Sequence, residues 1–510
     1  MTKTETQTPK TDPIWIVLLA LTFFVYFFGL TIPLVGPDEP RYAQVAREMF
    51  ERSDWITPTL GGYHWFEKPA LLYWLQIASY HIFGVTEFAA RFGSALFGLG
   101  TIGSLWILGK FVLIQRPKNE NQSPTTDFAK WLALIAASSL GLIAFSHGAS
   151  FDIILTFPMT TALVSFYIFD SAERSGPVSP SRRVAASLIA FYFFIGISLI
   201  AKGLVGIVFP FAIVGFYYLL SWKFPSRVFI LSLFWGTILA AIVASAWYLP
   251  MYMRHGDSFI DEFFIQHHFQ RYTSNKYFHP QPFYFFFWVL PLMTIPWLPF
   301  FFLSVWDFVK KIANQSPRLV VSASPLLLFA AAWLAVPLVF FSFSGSKLPG
   351  YILPAVPAAI ILTAEYIWRF VEGSHKRAIL IQSIAVTTFV VIVAVMIFAV
   401  PRFAEGDSVK GLLAAADARG LSGARVLNLH TTSHNAEFYA AGRLLRTDDG
   451  KQKKLLGAME VFVEIRKSGG SPVLVLVPLE YLKELIDCEP LNSEVLKTND
   501  ELAIVYVSAK

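Results

Sequence analysis

Long apolar stretches alternate with short polar ones from residue 14 to residue 400. The apolar runs fall at 14–35, 88–114, 128–148, 153–170, 185–201, 203–221, 228–249, 283–305, 324–343, 350–371 and 378–400. Each is near the ~20 residues that carry a helix across ~30 Å of hydrocarbon. The runs are continuous, unlike the alternating strands of an outer-membrane barrel. Interior prolines such as Pro158, Pro210, Pro291 and Pro296 predict kinks, which are tolerated where neighbouring helices or a cavity re-satisfy the backbone. The run Ala70–Phe83 is short for a span and reads as an amphipathic or re-entrant piece in the interface. After Pro401 the pattern changes to that of a small soluble α/β domain. Strands are expected at Arg425–Leu429, Pro472–Val477 and Leu502–Val507, and helices at Asn435–Leu445, Lys454–Lys467 and Leu479–Ile486. The chain therefore divides into an all-α polytopic membrane domain, 1–400, and a C-terminal domain, 401–510.

Charge placement orients the membrane domain. Arg116 and Lys118, then Arg174, Arg182 and Arg183, then Lys223 and Arg227, then Lys310, Lys311 and Arg318, then Arg369, Lys376 and Arg377 all flank alternate links. Positive residues mark the cytoplasmic side. All these links fall inside when the N-terminus is inside and Ala70–Phe83 does not span. The expected topology is eleven spans, or thirteen with two more hidden in broken helices, with the C-terminal domain outside. The first run reads as an uncleaved anchor, since no small-x-small cleavage site follows it.

Composition agrees with the pattern. Hydrophobic residues make up 55% of the 510 and charged residues 15%, with mean hydropathy +0.54. An ordinary soluble domain is roughly a quarter charged. A soluble enzyme, a DNA-binding module and a disordered scaffold are excluded. The single Cys488 leaves nothing to an internal disulfide. There is no nucleotide-binding Gly loop and no internal repeat.

The polar residues that are unusual for a membrane protein collect in the outward links. The first link, Gly36 to about Glu87, opens Gly36-Pro37-Asp38-Glu39-Pro40-Arg41-Tyr42-Ala43 and later carries Glu67-Lys68-Pro69. The second holds Asp152, a third Lys202, a fourth His267, His268, Arg271, Lys276 and His279, and a fifth Lys347 and Tyr351. Asp38 and Asp152 each have a plain reading as helix caps, Asp38 for a helix over Pro40–Glu51 and Asp152 for one over 153–170. A carboxylate at the hydrocarbon boundary is nevertheless costly without water or a partner, and acids in separate links on one face suggest a shared aqueous cavity. Lys68, Lys202, Arg271, Lys276 and Lys347 run against the positive-inside trend. Near carboxylates, they suggest an anionic ligand such as phosphate. Glu67 with His267 and His268 are ligand types for a divalent ion such as zinc, although their spacing is no recognised zinc signature. An outward enzyme cannot easily use a nucleotide donor. A lipid phosphate can carry an activated sugar there, with a carboxylate to orient or deprotonate the acceptor and cations to stabilise the leaving phosphate.

Several segments carry a family resemblance over about 14–400. They are Asp38–Ala43, Glu67-Lys68-Pro69 with Leu71–Leu75, Phe88-Ala89-Ala90-Arg91, Phe151-Asp152, Lys202-Gly203, Gln270-Arg271 with Pro282-Phe283, and Lys347-Leu348-Pro349-Gly350-Tyr351-Ile352-Leu353-Pro354. The chain resembles the GT-C class of lipid-phosphate-dependent membrane glycosyltransferases. Within it the chain is most similar to the bacterial aminoarabinose transferase branch, with protein O-mannosyltransferases as more distant relatives. The resemblance implies catalytic roles for Asp38 and Asp152, with Glu39 beside them, and donor-phosphate binding by Lys68 and Arg271. Tyr351 would line the site, with Lys202, Lys347, Arg41 and Tyr42 among the donor-binding residues. It also implies a metal held by Glu67 and one histidine, His268 being in phase with Arg271 on a helix. The implied donor is a polyprenyl-phosphate sugar, and the acceptor is lipid A or another glycan or protein. Competing readings are a hexose transferase with another acceptor, a lipid or sugar transporter, and a structural subunit. No nucleic-acid partner and no nucleotide cofactor are expected.

Overall fold

Every apolar run folds as helix. The structure, a computed structural model, describes residues 13–115, 127–174, 182–270, 280–313 and 324–510. Among these, seven helices are long and apolar enough to cross a membrane. Two bent helix pairs and two shorter apolar helices account for the other runs. The chain is a multi-pass membrane protein. In chain order the helices are α1 (Pro13–Phe27), α2 (Asp38–Glu51), α3 (Leu71–Phe83), α4 (Glu87–Gln115), α5 (Phe128–Ala137), α6 (Leu140–Ser146), α7 (Phe151–Arg174), α8 (Arg182–Lys202), α9 (Val205–Leu220) and α10 (Arg227–Ile260). Beyond them, Phe285–Met293 and Leu298–Ala313, Pro325–Ser342, Val356–Val371 and His375–Phe398 complete the bundle. At 13 residues α3 is about 20 Å long, too short to span, and it packs on α2 and α4.

The run 128–148 is broken by 56° between α5 and α6, and the run 283–305 by 117° between its two helices. The two breaks satisfy each other. Leu140 N donates to Ile295 O at 2.8 Å, and Trp297 Nε1 donates to Ser138 Oγ at 3.1 Å. Freed polar groups are thus re-paired inside the protein. The helix expected over 228–249 continues through Pro250 to Ile260 and into a π-helical stretch, Asp261–Gln270. Gly256, at φ +56°, kinks it near that end. The outer link expected after residue 249 therefore begins as helix, through Gln270.

The composition break at 401 does not end the last membrane helix. Val400–Asp407 carries it on, with Pro401 in the first turn, where its missing N–H is not needed. Beyond lies a five-stranded sheet of order β4-β3-β5-β7-β6. Its strands are β3 (Arg425–Leu429), β4 (Lys454–Leu455), β5 (Val473–Pro478), β6 (Leu491–Thr498) and β7 (Leu502–Ala509), counted after a two-stranded hairpin, β1 (Thr59–Leu60) and β2 (Tyr63–His64), in the membrane half. Pairings of β3 with β4 and β5 are parallel; those of β7 with β5 and β6 are antiparallel. The helix expected over Asn435–Leu445 shrinks to Ala436–Tyr439, because Ala441 and Gly442 take positive φ and Leu444 bridges to Val426. The one expected over Lys454–Lys467 opens with β4 and becomes helical only at Ala458. Strand β6 was not foreseen, since its largely exposed edge-strand sequence lacks a clean apolar alternation.

The bundle has two chemically distinct ends. At one, Arg174 reaches Asp170 and Phe224 O, and Arg369 pairs with Asp307 and Glu365. At the other meet the N-terminal ends of α4 and α7, the C-terminal end of α8 and the turn after Pro325–Ser342.

Candidate active site at the acid-bearing end

The two adjacent carboxylates of α2 have opposite fates. The helix starts at Asp38 after Pro37, and neither acid caps it. Asp38 Oδ1 accepts from Arg41 Nη2 at 2.5 Å, and its side chain is 48% exposed. Glu39 is 13% exposed and fully engaged. It accepts from Arg91 Nε at 3.0 Å and Nη2 at 2.7 Å, from Ala149 N at 2.7 Å and from Val35 N at 3.2 Å. Arg91 in turn donates to the carbonyls of Leu30, Ile32 and Pro33. Glu39 is thus the less open of the two adjacent acids named for catalysis. With its lone pairs occupied it ties the 30–36 turn, α2, α4 and the 147–150 turn together. Sequence reasoning placed Arg91 in a motif but gave it no role; a charge in an otherwise apolar run was the available signal.

Asp152 is likewise not a cap. It lies in the first turn of α7, and Ser150 Oγ accepts from its backbone N at 3.1 Å. Its carboxylate pairs with Lys202 at the end of α8, both side chains being 17% exposed. The Lys202 ammonium stands 5.2 Å from the Tyr351 ring centroid. Gly350 lies against the same carboxylate, for a Cβ there would come within 1.9 Å of Asp152 Oδ2. The motif glycine is therefore required by close approach, a role the sequence did not reveal.

An aromatic layer joins the two acids. Tyr42 meets the Phe151 ring edge-on at 4.8 Å and Tyr73 at 5.4 Å, and Asp152 is the next residue. Burial pushes the Tyr42 hydroxyl well above its ordinary range, and the carboxylates of Asp38 and Glu67 push it further. Burial and then Glu67 do the same to Tyr73. Glu67 pairs with Lys68 at 3.3 Å, both side chains 14% exposed. Asp38, Arg41, Tyr42, Glu67 and Lys68 thus lie near one another, and Phe151, which the tyrosines touch, precedes the Asp152 that pairs with Lys202.

Other expected residues stand differently. Lys347 is buried and donates to Ser344 O at 2.6 Å and Gln281 O at 3.0 Å, and burial lowers its pKa. It staples its own loop instead of offering a free cation. Arg41 spends its guanidinium on Asp38 and on Pro37 O at 2.7 Å. Arg271, Lys276 and His279 lie outside the described residues, as do the side chains of His267 and His268. Of the expected metal ligands only Glu67 is described, and Lys68 holds it. Among the described residues no three His, Cys, Asp or Glu side chains gather as a metal site. The described groups do not make a metal centre by themselves.

The C-terminal domain braces this end. Tyr439 Oη donates to Glu87 Oε1 at 3.1 Å and accepts from Leu34 N at 2.8 Å. Gly36 N donates to Asp407 Oδ2 at 3.0 Å, two residues before Asp38.

Residues 16–259 match a protein-family profile described as dolichyl-phosphate-mannose-protein mannosyltransferase. Two curated relatives bear the name undecaprenyl phosphate-alpha-4-amino-4-deoxy-L-arabinose arabinosyl transferase. The protein from Aeromonas salmonicida is 29% identical over 359 residues, covering 69% of this chain and 60% of the relative. The protein from Yersinia enterocolitica is 31% identical over 368 residues, covering 71% and 61%. The chain thus spans about three-fifths of the length of these relatives. The crystal structure of ArnT from Cupriavidus metallidurans bound to undecaprenyl phosphate superposes with TM-score 0.76 over 96% of this chain and 97% of that one, at 21% identity. An archaeal oligosaccharyltransferase, AglB from Archaeoglobus fulgidus, shares the fold more loosely, with TM-score 0.54.

Proposed function

We propose that this chain, a GT-C-fold relative of the bacterial aminoarabinose transferases, moves a sugar from a polyprenyl phosphate of the undecaprenyl type to a phosphate of lipid A. The observation that carries the reading is the contrast within α2, where Asp38 is half-open beside the Glu67–Lys68 pair while its neighbour Glu39 is locked. The names of the relatives and the shared fold support it.

In this reading the donor's isoprenoid tail lies among the spans and its phosphate meets Lys68 and Lys202. Arg271 is assigned to the same phosphate from the resemblance. An acceptor phosphate oxygen attacks the anomeric carbon opposite the leaving group. The C1–O bond to the carrier breaks, and the carrier phosphate keeps the electron pair, stabilised by the ammonium groups. The configuration inverts. A lipid A phosphate is already ionised, so Asp38 positions the acceptor or the donor sugar instead of taking a proton. Asp152 holds Lys202 in place. Glu67, with His268 assigned from the resemblance, would hold a divalent ion, and turnover measured with and without a strong chelator tests that assignment.

Reconstituted protein with an undecaprenyl-phosphate aminoarabinose donor and lipid A should release undecaprenyl phosphate and add one pentosamine mass to lipid A. Asp38→Asn should lower turnover by about 10²-fold through lost positioning. Full turnover in an inserted Asp38→Asn protein would end the assignment. The second reading, transfer of a hexose to a protein or glycan, is favoured by the mannosyltransferase profile match and would appear as turnover only with other acceptors. A transporter would place its polar site near the midplane between matching halves, whereas these charged groups gather at one end of the bundle. We assign the chain to the inner membrane, with a cytoplasmic N-terminus and this end extracytoplasmic. Cys488, the only cysteine, should then react with an impermeant maleimide from outside.

A further inference from the structure

Between the β1–β2 hairpin, the Asp261–Gln270 stretch and the C-terminal domain lies a cleft of about 490 Å³. Arg41 forms part of its wall, and the same guanidinium is bonded to Asp38. The cleft therefore ends one side chain away from the acid assigned to the reaction. Tyr63, His64 and Trp65 line one side; Thr432 and His434 line the other and come from the C-terminal domain.

The cleft is built by close packing. Glu48 clamps the hairpin, accepting from Gly61 N at 2.6 Å, Gly62 N at 3.1 Å and Thr59 Oγ1 at 2.7 Å. Gly61 has φ +63°, and a Cβ there would lie 1.9 Å from Arg446 Nε. Gly450 has φ +81°, and its Cβ would lie 2.6 Å from Tyr63 Cγ. Bare backbone on each partner thus receives a side chain of the other. Most of the charges nearby are neutralised, and Glu262, in the Asp261–Gln270 stretch, adds one carboxylate to the wall. Glu437 is paired with Arg446, and Lys451 lies 2.6 Å from Asp449. Burial and Arg41 lower the His434 pKa, leaving a neutral imidazole at pH 7 with one donor and one acceptor.

Aromatic side chains with an apolar body and a polar tip, amid neutralised hydrogen-bonding groups, suit a sugar ring better than a lipid tail or a bare anion. The Tyr63 ring of the hairpin and the Trp65 ring, which has the Arg41 guanidinium 5.8 Å from its centroid, supply the aromatic surface, and Thr432 and His434 supply polar contacts. The walls are the hairpin, soluble-domain loops, Arg41 and Glu262, a lining of largely polar residues in which the donor's tail has no place. We propose that this cleft is the acceptor subsite, seating a sugar ring of the acceptor headgroup against Tyr63 and Trp65, with the C-terminal domain forming the opposite wall. This rests on the glycosyltransferase reading above. The C-terminal domain then takes part in acceptor choice instead of serving only as a brace.

The test uses the full-length chain in liposomes with an undecaprenyl-phosphate aminoarabinose donor and lipid A, varying each in turn. Tyr63→Ala and His434→Ala should raise the acceptor KM about 10-fold, with donor KM unchanged. Tyr63→Phe, which keeps the ring and loses the hydroxyl, should fall between wild type and Tyr63→Ala in acceptor KM. Tyr63 is 42% exposed, so its truncation leaves the bundle intact. Unchanged acceptor KM in both alanine variants, or equal changes in donor and acceptor KM, would overturn the inference while leaving the proposed transfer standing. Failure of the wild-type chain to consume the donor with any acceptor would instead remove the transfer reading, and this inference with it.

Discussion

Replacing Arg91 by Met tests whether the acid-bearing end is held by a buried ion pair. Arg91 is 5% exposed and makes two hydrogen bonds to Glu39 and three to backbone carbonyls of the 30–33 turn. Methionine keeps much of the volume and removes every donor. Glu39, 13% exposed, would then be a buried carboxylate served only by Ala149 N and Val35 N. Breaking a buried pair from one side costs about 3–5 kcal/mol, because an uncompensated charge remains. Orphaned carbonyls add about 1–3 kcal/mol each where water does not reach them. Thermal melts of the purified protein in detergent should show Arg91→Met and Glu39→Gln each lowering Tm by several degrees. The double variant should be less destabilised than the two singles added together, since it leaves no buried charge behind. Turnover should fall in Arg91→Met, because the turn leading into Asp38 loses its tether. Single variants melting within about a degree of wild type, or strictly additive effects, would refute the buckle.

Two further expectations concern other parts of the molecule. Gly350→Ala places a methyl group 1.9 Å from Asp152 Oδ2 and 2.8 Å from Phe145 Cε1. Overpacking of this kind costs about 1–3 kcal/mol, and kcat should fall about 10-fold through displacement of the Asp152–Lys202 pair; wild-type kcat would count against that pair's role. In the C-terminal domain, Glu464 accepts from Lys453 at 2.9 Å and Lys467 at 3.1 Å. Burial alone would raise its pKa, but the two ammonium groups hold it below the usual value. The sign is that of a depressed carboxylate: its stabilisation is complete above the unfolded value of about 4.3 and is lost as pH falls through the lower folded value. Glu464→Gln should therefore melt below wild type at pH 7, and the gap should close under about pH 4. A gap that persists at pH 3 would show that the ion pairs are not its source.

The chain sequence by itself determined the architecture's outline. Hydrocarbon thickness makes any apolar run near 20 residues a helix, and it made α3 too short to cross. Local periodicity also marked β3, β5 and β7, whose central positions are apolar and buried. Charge logic and motif order together singled out Asp38, Lys68, Asp152, Lys202 and Tyr351, and the structure gathers the last three around Gly350. Tertiary structure alone decided which of two adjacent acids is left open. Motif order favoured Asp38, but only the arrival of Arg91 from 52 positions away and of Ala149 N from 110 shows that Glu39 is locked. The same holds for Lys347, whose positive charge promised a phosphate ligand until carbonyls of its own loop and of Gln281 accepted its hydrogen bonds. It holds again for the cleft that joins Tyr63 to His434, since pairing between a loop and a distant domain leaves no periodic trace. Periodicity records which face of an element is apolar. It does not record which partner occupies a lone pair, and that choice sets the chemistry here.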